Sequence, residues 1–180
     1  MATLVIERLT GKPVEIFQTG AMQDGIEREP QARAMYEFMT NSAVEQIGLA
    51  RHPNISGTHA SPDGLVGRDG LLEIKSPQPA QHLATLLGEP IPGKYQTQMQ
   101  WQMRCCDRAW TDFVSFNPDF PPSMQIFIER VHRDEEMIAA LEKDVTEFLN
   151  ELRDTVHRLK AKYDPDNSDV PEPVRLMAAG

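Results

Sequence analysis

Apolar residues recur at intervals of three and four along much of this chain and at intervals of two along a short part of it, and the two rhythms divide it into elements. Ala2 to Leu9 reads as a short helix stopped by Gly11 and Pro13, followed by an extended stretch with Val14, Ile16 and Phe17. From about Pro30 to Ile47, Ala32, Met35, Tyr36, Met39, Ala43, Val44 and Ile47 keep helical spacing, with Pro30 suited to a first helical turn. Arg51 to Ala60 is turn-rich and extended. Leu65-Val66, the turn residues Gly67-Arg68-Asp69-Gly70 and the run Leu71 to Lys75 predict a hairpin. Residues 78–87 read as a short helix and Gly88 to Gly93 as a loop. Tyr95 to Cys106 predicts a helix with Tyr95, Met99, Met103 and Cys106 on one face. Strands are expected at Thr111 to Phe116 and Met124 to Val131. After an Asp134 cap, Met137, Ile138, Leu141, Val145, Phe148, Leu149, Leu152, Val156 and Leu159 trace one stripe, long enough for a helix of ~45 Å. The expectation is a single α/β domain over 1–163, a central mixed sheet flanked by helices, and a loose acidic, proline-rich tail over 164–180.

Length and composition fit that picture: 180 residues, 40% hydrophobic and 25% charged, are those of an ordinary folded domain. No apolar run approaches the roughly 20 residues needed to span a bilayer, and the opening Met1 to Arg8 lacks the charged and apolar regions of a secretory leader, so a soluble cytoplasmic protein is expected. The two cysteines, Cys105 and Cys106, are adjacent and cannot supply a spaced-pair zinc site. None of the five histidines has ligand spacing. The net charge of -9 argues against a nucleic-acid binder working through a broad basic surface. Most of the excess acidity nevertheless lies beyond residue 111, and a cation bound by acids of the balanced front part would leave a surface able to accept a polyanion.

Candidate chemistry is concentrated in the hairpin. Asp63 precedes it, and Glu73-Ile74-Lys75 ends it. Residues two apart on a strand share a face, so Glu73 and Lys75 point one way and Ile74 the other, into the core. The turn brings Asp63 back alongside the same strand end. Two hard carboxylates suit Mg²⁺ or Mn²⁺, which keep several waters and take one or two protein carboxylates beside a substrate phosphate. A lysine there can orient or help deprotonate water, or stabilise charge developing on a phosphorus centre.

Four blocks occur in order: Glu29-Pro30-Gln31-Ala32-Arg33 with Tyr36-Glu37, Ser61-Pro62-Asp63-Gly64, Glu73-Ile74-Lys75-Ser76-Pro77, and Tyr95-Gln96-Thr97-Gln98-Met99-Gln100-Trp101. Together they resemble the lambda exonuclease-like, or YqaJ-type viral recombinase, family of the PD-(D/E)XK nuclease superfamily. The resemblance implies a restriction-endonuclease-like core. It also implies that Asp63 and Glu73 bind metal, that Ile74 contributes its backbone carbonyl, and that Lys75 is the catalytic lysine. Glu29 matches an acid supporting a second metal ion or its water, Gln98 a glutamine near the nucleophilic water and scissile phosphate, and Ser61 a residue near the terminal phosphate.

The function so implied is that of a Mg²⁺-dependent DNA exonuclease of phage recombination type, with two ions, Mn²⁺ substituting, and action from duplex ends, 5′ to 3′, in a bacterial or phage-infected cell. The family resemblance further suggests a ring-shaped homotrimer and a single-strand annealing protein as partner. Members of the family carry chain ahead of the point where this sequence begins, including an arginine that grips the 5′ phosphate, so weak 5′-phosphate preference and short processivity are expected. The alternatives are an idle DNA-end-binding or assembly subunit, and a structure-selective nuclease of the same superfamily. Nucleases of the latter kind commonly add a four-cysteine iron–sulfur cluster that Cys105 and Cys106 cannot build.

Overall fold

The computed structural model describes residues 1–15 and 20–164; the extended stretch expected at Ile16 and Phe17 and the tail expected beyond Asp164 lie outside the described residues. The chain forms two compact units. The larger, Gln18–His52 with Gly57–Ile138, contains a five-stranded sheet in the order β1 (Val44–Glu45), β4 (Gly64–Val66), β5 (Gly70–Lys75), β6 (Trp110–Phe116), β7 (Ile126–His132). Its pairs are antiparallel except β5 with β6, which run parallel and are joined by α3 (Pro79–Leu86) and α4 (Gly93–Cys106). A separate two-stranded ladder pairs β2 (Ala50–Arg51) with β3 (His59–Ala60). The smaller unit holds α1 (Ala2–Thr10), residues 53–56 and most of α5 (Glu135–Tyr163).

Alternation along the central strands explains the layering. Leu72 and Ile74 of β5, with Val114 and Phe116 of β6, face helix α2 (Gly20–Thr40) and pack with its Ala32 and Tyr36. Leu71 and Phe113 turn to the opposite face, where Met99 and Met103 of α4 and Ile91 cover them. The expected hairpin is present with Val66 opposite Gly70, and Gly67 adopts φ +56°, the left-handed conformation its turn needs. Helix α4 buries Met99 and Met103 from the face that periodicity marks.

The helix expected from about Pro30 to Ile47 is displaced. It runs from Gly20 to Thr40, with Pro30 in its interior. A proline there forfeits one backbone hydrogen bond, and burial of Ala32 and Tyr36 in the following turns offsets that loss. The helix ends where Asn41 turns left-handed at φ 51°. Val44 therefore sits on β1 opposite Val66 rather than on a helix, and its N–H donates to the Glu37 carboxylate at 2.8 Å. The apparent helical spacing at Ala43, Val44 and Ile47 is coincidental.

Two polar features brace the larger unit. Asp112, buried on β6, accepts a hydrogen bond from the Tyr36 hydroxyl at 2.7 Å and a fork from Arg130 at 2.8 and 2.9 Å. His82 of α3, fully buried, bridges the Ser115 hydroxyl and the Met124 carbonyl, each at 2.8 Å. In the smaller unit, Leu9 of α1 and Leu159 and Tyr163 of α5 line one shallow groove. The Asp134 side chain caps α5 as expected, accepting from the N–H groups of Glu136 and Met137, both at 3.0 Å. No helix among the described residues is long and apolar enough to cross a membrane.

The parallel ladder sets a strict requirement at Gly70. This residue faces Trp110 across the β5–β6 pair, and a β-carbon added there would stand 2.1 Å from the indole, which packs under the Arg130 guanidinium at 3.5 Å. Gly70→Ala is expected to destabilise the protein by about 1–3 kcal/mol, read as a lower midpoint of urea unfolding. An unchanged midpoint would show that the indole moves aside freely.

Candidate active site

The end of β5 nearest the crossover gathers the predicted residues. The Asp63 backbone N–H donates to the Leu72 carbonyl at 3.1 Å, which holds the start of the hairpin against β5. From there the Asp63 carboxylate accepts the Ile74 backbone N–H at 2.6 Å. Strand alternation places Ile74 in the core on the α2 side, with Glu73 and Lys75 on the other. Glu73 is only 1% exposed, and one of its oxygens meets the Lys75 ammonium in an ion pair. Its other oxygen accepts a hydrogen bond from the Gln102 amide of α4 at 2.6 Å.

A cleft of about 430 Å³ opens over this strand end, walled by Glu29, Asp63, Ile74, Lys75, Ser76, Tyr95 and the α2 residues Gly25 and Ile26. Glu29 reaches it from α2 and is ion-paired with Arg33 one turn later. A second hollow of about 330 Å³ shares Lys75, Pro77 and Tyr95 with the cleft and extends toward α3 and Lys94. The Tyr95 ring lies 5.0 Å from the Lys75 ammonium and 4.7 Å from that of Lys94.

The electrostatics are those of acids without enough counter-charge. Burial, then the neighbouring Glu73 carboxylate, pushes the Asp63 carboxyl up to about 7. Glu29 adds to the rise, whereas the Ile74 N–H and Lys75 oppose it. A cation would relieve that repulsion, so Asp63 and Glu73, with the Ile74 carbonyl and Glu29 close by, fit the hard-oxygen chemistry of a divalent metal. Among the described residues no three His, Cys, Asp or Glu side chains converge tightly enough to enclose an ion alone.

The arrangement brings together Glu29, Asp63, Glu73, Ile74 and Lys75. Gln98 is exposed on α4 and stands outside the cleft wall, and Ser61 is exposed two residues ahead of Asp63. Gln102 and Tyr95 are the residues whose site role sequence reasoning missed. Tyr95 read as a packing position on the apolar face of α4. The signal for Gln102 was its place beside Met103 and three residues after Met99, on the face that goes inward. Among the arginines of the larger unit, Arg28 is engaged by Asp119 at 3.3 Å and Arg33 by Glu29, and Arg108 donates to the Gly67 carbonyl at 3.3 Å.

A mixed sheet with a parallel central pair, helices on both faces, and an acid-acid-lysine set at the end of the second hairpin strand define a nuclease fold of the PD-(D/E)XK type. Residues 2–109 match the YqaJ-like viral recombinase domain, and the chain belongs to that family. Among solved structures it is similar to the alkaline exonuclease LHK-Exo from Laribacter hongkongensis, with 47% identity over 89% of this chain and 81% of that one, TM-score 0.84. The structure of LHK-Exo in complex with dAMP gives 46% identity over 89% and 82%, again with TM-score 0.84. A phage-related exonuclease from Haemophilus somnus 129PT, 20% identical over 81% of this chain and 75% of its own, shares the fold with TM-score 0.61. No curated protein matches the chain significantly. The family and the likeness to alkaline exonucleases make this a nuclease.

The raised Asp63 carboxyl has a measurable consequence. Between pH 4 and 7 the unfolded chain gives up this proton while the folded, metal-free protein keeps it, so folding stability falls as pH rises through that window. Asp63→Asn removes the loss. In EDTA its stability relative to the parent is expected to grow from pH 4 to pH 7, by at most about 4 kcal/mol. Denaturant midpoints at several pH values check this, and a gap independent of pH would show an ordinary carboxyl.

Proposed function

We propose that this chain is a Mg²⁺-dependent DNA exonuclease, with Mn²⁺ able to substitute, that hydrolyses phosphodiester bonds from duplex ends in the 5′-to-3′ direction and exposes single strands. The observation that carries the reading is the single cleft in which Glu29, Asp63, the Ile74 backbone and Lys75 meet, beside a buried Glu73 ion-paired to that lysine. Asp63, Glu73 and the Ile74 carbonyl would hold the metal, with Glu29 supporting a second ion or its water. A bound divalent cation supplies positive charge to the phosphate oxygens and makes water easier to deprotonate.

The remaining chemistry belongs to the side chains. Lys75 is held by Glu73 on one side and by the Tyr95 ring on the other, so its ammonium is aimed before substrate arrives. Its role is to orient the attacking water and donate to the phosphate oxygens as their charge grows. Glu29 accepts a proton from water or fixes its position, with Arg33 restraining the carboxylate. The hollow beyond Tyr95 offers room for the neighbouring nucleotide, and Lys94 a charge for its phosphate. The family reading extends to a homotrimeric ring and an annealing partner.

Digestion of linear, nicked and closed circular duplexes with Mg²⁺ and with EDTA reads activity and end dependence together. Linear duplex should shorten with Mg²⁺ or Mn²⁺, closed circles should persist, and Ca²⁺ should permit binding without cutting. Asp63→Asn and Glu73→Gln should abolish hydrolysis in folded protein, and Lys75→Ala should slow it by roughly 10²- to 10⁴-fold. Cleavage that survives EDTA, or a folded Lys75→Ala variant at parental rate, would overturn the mechanism.

A further inference from the structure

Helix α4 carries two buried glutamines, Gln100 and Gln102, that use their amides in different ways. Gln100 donates to the His132 carbonyl at 2.8 Å and accepts from the Asp134 N–H at 2.9 Å. It joins α4 to the end of β7 and the start of α5, a backbone-to-backbone brace.

Gln102 turns instead to β5. Its amide nitrogen donates to the Glu73 carboxylate at 2.6 Å and lies 3.4 Å from the Ser61 carbonyl, while its own oxygen is buried without a hydrogen-bond partner. Exchanging the two ends of the amide would set its oxygen against a carboxylate and a carbonyl, acceptor facing acceptor, so the neighbours dictate the orientation. Both donors of this amide are thus directed at the segments bearing the two acids: Glu73 itself, and Ser61 two residues before Asp63.

We propose that Gln102 is a positioning residue for the metal centre, acting through Glu73 and, by way of the Ser61 carbonyl, on the segment that carries Asp63. The inference rests on the reading of the cleft given above. A carboxylate as dehydrated as Glu73 needs opposite charge and hydrogen bonds in place of its lost hydration to keep one orientation. Lys75 ion-pairs with one oxygen, and the hydrogen bond from Gln102 fixes the other. A neutral amide suits this place because it fixes the carboxylate without cancelling the negative charge a cation requires. A second cation at Gln102 would compete with the metal. Outer partners of this kind typically govern metal affinity by roughly 10- to 100-fold.

The test compares Gln102→Met, which keeps the length of the side chain and removes its N–H groups, with Gln100→Met. Mn²⁺ binding to the DNA-free protein is measured by titration calorimetry, beside the Mg²⁺ dependence of duplex digestion and the thermal midpoint. Gln102→Met should weaken Mn²⁺ binding roughly 10- to 100-fold and raise the Mg²⁺ concentration for half-maximal rate. Its KM for DNA at saturating metal should stay unchanged. Gln100→Met should lower the thermal midpoint and leave Mn²⁺ affinity as it is. Should Gln102→Met fail to fold, Gln102→Asn, whose amide is one methylene too short to reach Glu73, is expected to show the same weakening. Mn²⁺ affinity within twofold of the parent in either folded variant overturns the inference, as does a parent that binds no Mn²⁺. A parent that binds Mn²⁺, loses that binding on Gln102→Met and yet cuts no DNA would end the exonuclease reading and sustain this one.

Discussion

A strand covered on both faces has no neutral place for a charged side chain, and β5 carries Glu73 near the middle of such a strand. Helix α2 seals one face through Ala32 and Tyr36, and helix α4 seals the other through Met99 and Met103. Removing a carboxylate from water costs several kcal/mol unless hydrogen bonds and opposite charge replace the lost hydration. The Lys75 ammonium and the Gln102 amide do so. Much of the local design follows: α4 must dock close enough for Gln102 to reach, and Lys75 must emerge where the strand ends. The site also falls beside the parallel pair, at the carboxyl end of the strand from which the crossover departs, the usual place for a ligand in an open α/β sheet.

The same arrangement leaves the acids short of positive charge. Asp63 is driven toward its neutral form by burial and by Glu73, and the backbone N–H of Ile74 only partly restores it. The divalent cation proposed for this site would offset that repulsion. Arg33 and Glu29 form a separate, more exposed pair on α2, from which Glu29 reaches the cleft. Because α2 is continuous through Pro30, the position of Glu29 depends on the packing of Ala32 and Tyr36 further along the helix.

The region matching the YqaJ-like domain ends at residue 109, just before β6, whereas the likeness to the Laribacter exonuclease spans 89% of the chain. Strands β6 and β7 carry little site chemistry, but β6 gives β5 its parallel neighbour and contributes Val114, Phe116 and Phe113 to the two faces of the core. Asp112 then ties β6 to Tyr36 of α2 and to Arg130 of β7, fixing the layer from which Glu29 projects. The site residues come from the first part of the chain, and the sheet that holds them is completed by the second.

What the sequence determined by itself was local. Turn chemistry at Gly67 to Gly70 and the two-residue alternation of Glu73 and Lys75 suffice to form the hairpin and place Asp63 beside it, since every contact involved spans a dozen residues or fewer. The faces of α4 and the Asp134 cap of α5 were legible for the same reason. The tertiary structure decided the rest. The stop at Asn41 and the continuation of α2 through Pro30 depend on a left-handed residue and on core packing that no periodicity encodes. Joining β5 to β6 needed a parallel ladder closed across α3 and α4, and only that closure brings α4 against β5. Gln98, Gln100 and Gln102 are alike in composition and nearly alike in spacing. One is exposed, one braces a backbone and one holds Glu73, because the docking angle of the helix, set by Met99 and Met103 in the core, chooses which amide meets the buried carboxylate.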